Sequence, residues 1–184
     1  PLDNSFKAME ILYQAVKNAG YENEIEYGLD FAASGFYSTD KKTYQFEGKE
    51  RSTREMIDTI KALVKEFPGI VSIEDPLDEQ DYDGWIAFTE EFTNKMIIGD
   101  DIFATNKKRI TMGIKKKIAN AILCKVNQIG SVTEACDAAL FAKSNRYPVV
   151  MSVRSGETED SVLSDISVAL NAGLFKTGGI RGSD

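Results

Sequence analysis

The chain has 184 residues, 42% apolar and 28% charged, with 22 Lys and Arg against 29 Asp and Glu for a net charge of −7. This is an ordinary globular mix, long enough for one domain or part of a larger single-domain fold, and no apolar run approaches the ~20 residues of a membrane helix. Histidine is absent, which excludes Ser-His-Asp and Cys-His nucleophiles and His-ligated metals, and leaves oxygen donors suited to Mg²⁺, Mn²⁺ or Ca²⁺.

In chain order, Phe6, Met9, Tyr13 and Val16 recur at helical spacing. Asp3, Asn4 and Ser5 offer an N-cap and Gly20 a stop. Ile25 to Ala33 is a strand candidate, and Gly35 to Arg51 a polar loop or hairpin excursion. Ser52 to Glu55 form a capping box that opens a helix through Met56, Ile60, Leu63 and Val64, closed by Pro68-Gly69. Ile70 to Ile73 is a short run of strand formers. The unit then repeats: helices near Asp83–Thr93, Asn106–Ile118, Ser131–Ala142 and Glu159–Ala172 precede the runs Met96–Ile98, Ala121–Val126, Pro148–Ser152 and Leu174–Phe175. Six strand candidates alternating with helices predict a parallel α/β sheet with right-handed crossovers.

Two further features read as ordinary. Lys107 to Arg109 and Lys115 to Lys117 flank one helix and read as a solvated face in an acidic chain. The pI near 4.8 argues against general nucleic-acid binding, which depends on neutralising phosphates. Cys124 and Cys136 fit no metal spacing and read as small, partly buried thiols in a reducing, cytoplasmic setting. No signal peptide is expected, and a chain beginning at Pro1 is expected to be processed or a fragment.

The chemistry gathers where the runs end: at Asp30, Glu74-Asp75, Asp100-Asp101, Lys125, Arg154-Ser155 and Lys176. In parallel α/β folds the carboxyl ends of the strands converge on the functional face. Any one such charge is commonly structural, but six in register are hard to dismiss. Lys125 lies within the apolar run Ile122 to Val126. It either snorkels or pairs with a carboxylate, or its burial among cations favours the neutral form and makes it a base.

The segments Ser72 to Trp85, Ile97 to Ile110, Leu123 to Ala135 and Arg154 to Asp160, with Tyr27 to Tyr37 and Phe175 to Gly179, closely resemble enolase, the phosphopyruvate hydratase of glycolysis. The resemblance covers essentially the whole chain. It implies a parallel (β/α) barrel of enolase type, incomplete here at about six βα units, with residues 1–184 as part of the carboxy-terminal barrel domain. By the resemblance Asp30, Glu74 and Asp100 hold Mg²⁺, and Lys125 removes the α-proton of 2-phosphoglycerate. Arg154 and Ser155 take the phosphate, Lys176 faces the carboxylate, and Asp101 lies beside the metal. The product implied is phosphoenolpyruvate, and full-length family members are commonly homodimers.

Some positions depart from that pattern. The family reads Ser-His-Arg-Ser-Gly-Glu where this chain has Ser152 to Glu157, so its active-site histidine is Val153 here. It reads Ser-Glu-Phe where this chain has Ser34-Gly35-Phe36. The amino-terminal domain and first barrel strands, which carry the family's general-acid glutamate, have no counterpart in these residues. The expectation is an enolase-type lyase whose 184 residues alone are inactive; the alternative is a non-catalytic enolase-like structural or interaction module.

Overall fold

The computed structural model describes residues 2, 4–154, 156 and 158–178. They form two compact units, Pro1–Gly84 and Trp85–Asp184.

The first unit opens with α1 (Ser5–Ala19), capped by the Asn4 side chain and ended by Gly20 in the left-handed region; of the other two cap candidates, Ser5 is the first helical residue and Asp3 lies outside the described residues. On α1, Tyr13 stacks on Tyr27 with ring centroids 4.3 Å apart, and its hydroxyl accepts from Gly69 N at 2.9 Å. Strand β1 (Tyr27–Asp30) is shorter than the predicted run. Asp30 accepts the Ala32 N–H at 3.0 Å in an Asx turn, and Ala32 turns to φ 45° ahead of a short 3-10 helix, Ala33–Phe36.

The polar excursion is a small antiparallel sheet, β2 (Tyr37–Ser38), β3 (Thr43–Phe46) and β4 (Lys49–Arg51). Its second turn, Glu47-Gly48, has positive φ at both residues, as in a type I′ hairpin turn, whose twist matches that of right-twisted strands. Helix α2 (Thr53–Glu66) begins at the complete Ser52–Glu55 capping box and buries Met56, Ile57, Ile60 and Leu63. It returns the chain to β5 (Ile70–Glu74), which pairs parallel with β1 and sets Asp30 opposite Glu74.

The division between units falls within α3 (Tyr82–Glu91). The second unit contains four parallel strands in the order β6 (Met96–Gly99), β7 (Ala121–Cys124), β8 (Val149–Ser152) and β9 (Gly173–Lys176). β7 and β8 are buried throughout, which is why they read as continuous apolar runs. Between strands lie α4 (Lys107–Lys116), α5 (Val126–Ile129), α6 (Val132–Ser144) and α7 (Val162–Ala169).

Helix α6 buries Ala135, Ala138, Ala139 and Ala142, a face of small residues at i, i+3, i+4 and i+7. That smooth face brings the Ala135 carbonyl to 3.8 Å from Cys124 Sγ. Its cap is half of a capping box: Ser131 accepts from Glu134 N, while the Glu134 carboxylate takes the Ser131 hydroxyl. Helix α7 is shorter than expected at both ends, and Asn171 at φ 47° stops it from continuing into Ala172.

After β6 the chain folds back through residues 100–105. The Phe103 ring fills space that side chains at Gly99 and Gly113 would occupy: a Cβ at Gly113 would lie 2.2 Å from it. This wedge fixes the loop from which Asp100, Asp101 and Thr105 project.

Candidate active site

Each predicted functional residue within the described chain stands at or just beyond the carboxyl end of a parallel strand. Asp30 and Glu74 close β1 and β5 as register neighbours, and the ladder continues past them through Phe31 N to Glu74 O at 3.0 Å and Ala33 N to Asp75 O at 3.1 Å. Asp30 is exposed and Glu74 buried. Asp75, also buried, takes φ 39°, a strained backbone for a non-glycine residue of the kind that concentrates at functional sites.

The loop after Asp75 is pinned by a polar knot. The buried Tyr44 hydroxyl donates to Asp81 Oδ2 and accepts from Asp78 N, each at 3.0 Å. Thr53 Oγ1 donates to Asp81 Oδ2 at 2.6 Å and Gly84 N to Oδ1 at 3.1 Å. Burial foremost, then the neighbouring Asp81 charge, raises the Tyr44 pKa well above the usual phenol range, so the group stays protonated and donates. Ser34 Oγ accepts from Glu79 N at 3.0 Å, tying the turn after Asp30 to the same loop.

In the second unit Asp100 follows β6 and Lys125 follows β7. Lys125 is not inside the strand, as its apolar neighbours suggested. β7 ends at Cys124, and Lys125 occupies the N-cap position of α5 with its side chain released from the sheet. Its Nζ lies 2.5 Å from Asp100 Oδ2, with the two side chains only 13% and 10% exposed. Asp100 and Asp101 also bring carboxylate oxygens within 4.8 Å of each other. Two residues that sequence reasoning missed complete this cluster. Thr105 Oγ1 accepts from Lys125 N at 2.9 Å and donates to Gln128 Oε1 at 2.9 Å, while Gln128 Nε2 reaches Asp100 Oδ1 at 3.3 Å. Neither residue carries charge, so a search for strand-end ionic groups passes over them.

At the far strands, Lys176 closes β9 opposite Ser152, and Val153 N donates to Lys176 O at 3.2 Å. Arg154 follows two residues after β8 and is exposed. Ser155 lies outside the described residues.

The donor set is all carboxylate, and oxygen-only ligation suits Mg²⁺ or a similarly hard cation. The geometry therefore joins a lysine amine to a carboxylate that could serve a metal. The chain as a whole matches the family model described as the enolase C-terminal TIM barrel domain, over residues 1–184. This chain belongs to the enolase family. It is 52% identical over 178 residues to the enolase of Methanocaldococcus jannaschii, covering 97% of this chain and 41% of that protein. The Methanococcus vannielii enolase is 50% identical over 178 residues, covering 97% and 42%, and the Corynebacterium kroppenstedtii enolase 48% over 180 residues, covering 96% and 42%. The chain thus spans about two fifths of the length of the curated relatives it matches. Its fold is an incomplete parallel α/β barrel, with six parallel strands among the described residues. No helix among those residues is long and apolar enough to cross a membrane.

Proposed function

We propose that the protein bearing this chain is a glycolytic enolase-type lyase that dehydrates 2-phospho-D-glycerate to phosphoenolpyruvate. The observation that carries this reading is the Lys125–Asp100 contact of 2.5 Å, a base and an anionic ligand side by side at adjacent strand ends. Residues 1–184 are part of one carboxy-terminal barrel domain in this reading. The protein works as a cytoplasmic homodimer, without nucleic-acid partners.

Asp30, Glu74 and Asp100 would hold Mg²⁺. Bound there, the cation supplies positive charge against the carboxylate on which negative charge accumulates as the α-proton leaves. Lys125 Nζ takes that proton from the carbon bearing the phosphate. Lys176 opposes the substrate carboxylate, and Arg154 and Ser155 the phosphate, so developing charge meets fixed cations. Hydroxide then leaves the neighbouring carbon together with a proton from an acid, and none of the 184 residues matches the family's donor. The isolated chain is therefore expected to exchange the α-proton without forming product, because a missing general acid costs on the order of 10²–10⁴ in rate.

Val153, where the family has histidine, favours a second reading, a non-catalytic enolase-like interaction or structural module. Proton NMR of 2-phosphoglycerate with the purified chain and Mg²⁺ in D₂O separates the two. The lyase reading expects α-proton exchange that Lys125→Ala abolishes. Exchange that survives in Lys125→Ala, or no exchange in the parent, overturns the assignment of the base.

A further inference from the structure

The hydrogen bonds around Asp100 form a closed ring. Lys125 Nζ meets one Asp100 oxygen at 2.5 Å, and Gln128 Nε2 meets the other at 3.3 Å. The Gln128 carbonyl takes the Thr105 hydroxyl proton at 2.9 Å, and the same hydroxyl accepts the Lys125 backbone N–H at 2.9 Å. The circuit thus leaves Lys125 through its side chain and returns to it through its main chain. Both ends of the Gln128 amide are engaged, so the amide has one orientation. Thr105 also both donates and accepts, which fixes the direction of its proton.

Thr105 is fully buried and takes φ 54°. That backbone is unfavourable for a β-branched side chain, whose Cβ substituents crowd the chain in the left-handed region. The preceding Ala104 is also left-handed at φ 45°. The wedge of Phe103 against Gly99 and Gly113 holds this double turn, and the turn aims the Thr105 hydroxyl at the foot of Lys125. Strain of this kind persists only where the surroundings over-determine it, and it marks sites where orientation matters.

We infer that Thr105 and Gln128 are positioning residues that set the carboxylate plane of Asp100 and the placement of Lys125 before metal and substrate bind. The inference rests on the proposed metal role of Asp100. Gln128 holds the Asp100 oxygen that Lys125 does not, which restrains rotation of the carboxylate about χ2. Thr105 holds Gln128 and the Lys125 backbone together, so the base and the ligand keep one relative geometry. Partners that orient a metal-ligating group in this way are commonly worth 10–100-fold in metal affinity.

The test is calorimetric titration of the purified protein with MgCl₂, alongside thermal melts, for the parent, Asp100→Asn, Gln128→Met, Thr105→Val and Thr105→Ser. Gln128→Met keeps length and volume but removes both polar ends, and its Mg²⁺ affinity is expected to fall about tenfold or more. Thr105→Val should fall likewise, and Thr105→Ser, which keeps the hydroxyl, should stay within about twofold of the parent; a purely steric role for Thr105 would not give that rescue. Should Thr105→Val fail to fold, Gln128→Met and Thr105→Ser still decide the matter. If Asp100→Asn loses Mg²⁺ while Gln128→Met binds it like the parent, the positioning role is overturned and the metal role stands. If Asp100→Asn binds Mg²⁺ like the parent, the metal role falls and the inference with it.

Discussion

The two units fix their strand-end loops by different chemistry. In Pro1–Gly84 the interior is rich in aromatic rings: Tyr13, Tyr27 and Phe67 form one group, and Phe36, Tyr37, Tyr44 and Phe46 another. Several carry a hydroxyl at the tip, so a ring that fills the core also reaches a loop, as Tyr44 does with Asp78 and Asp81. In Trp85–Asp184 the α6 face is alanine and the strands aliphatic. Such residues pack closely but offer no polar tip, so beside the Phe103 wedge the loops after β6 and β7 are held by an ion pair, an amide and a threonine hydroxyl. Tyrosines in the core can pin a loop with neutral hydrogen bonds from below, whereas rings and aliphatic side chains without a polar tip leave the polar contacts to groups that are also available for chemistry.

This contrast can be broken most forcefully at Lys125. Lys125→Ala strips the cation from a largely buried carboxylate, and breaking such a pair typically costs about 3–5 kcal/mol. Urea unfolding without divalent metal is expected to show a loss of that order. Added Mg²⁺ should recover part of it if Asp100 is a metal ligand, since a ligand bound only to the folded state stabilises it. A loss under 1 kcal/mol would mean that the pair is solvent-screened and does not hold the loop.

The matching change in the first unit is Tyr44→Phe. It leaves the ring in place but removes one acceptor from the buried Asp78 N–H and one donor from Asp81. The expected loss is about 1–3 kcal/mol, smaller than at Lys125 because no charge is stranded. Amide hydrogen exchange should localise the loosening to residues 75–81. Uniform loosening of the whole first unit would show that the hydroxyl supports the core rather than the loop.

The smallest effect separates the thiols. Burial pushes the Cys124 thiol up to about 12 from its ordinary 9.0, with the nearby Cys136 adding to the rise. Below pH 9 both folded and unfolded chains keep this thiol protonated, so its contribution to stability is intact there. Between pH 9 and 12 the unfolded chain ionises first, and stability falls with rising pH. Cys124→Ala should flatten that part of the alkaline unfolding profile. In the parent at pH 8, an alkylating reagent should modify the partly exposed Cys136 and spare buried Cys124. Equal reaction at both would contradict the tight seating of α6 on β7.

Much of this molecule follows from local pattern. The alternation of amphipathic segments with apolar runs fixed the parallel α/β class, because helices and buried strands bury their faces with different periods. Ser52 and Glu55 announced α2, since a capping box satisfies its own orphan N–H groups within four residues. The positions of Asp30, Glu74, Asp100 and Lys176 at strand ends were also legible, because a charge that terminates an apolar run is visible in one dimension.

What tertiary structure alone decided is which groups meet and how they are held. Gly35 to Arg51 became a three-stranded sheet because its register depends on pairing across two turns, not on any apolar run. The end of β7 before Lys125 was set by the Thr105 hydroxyl capturing the Lys125 N–H, a contact between residues twenty apart in sequence. The left-handed backbone at Thr105 has no sequence signature of its own. It is imposed by Phe103 packed against two glycines, and packing of that kind exists only once the chain has folded.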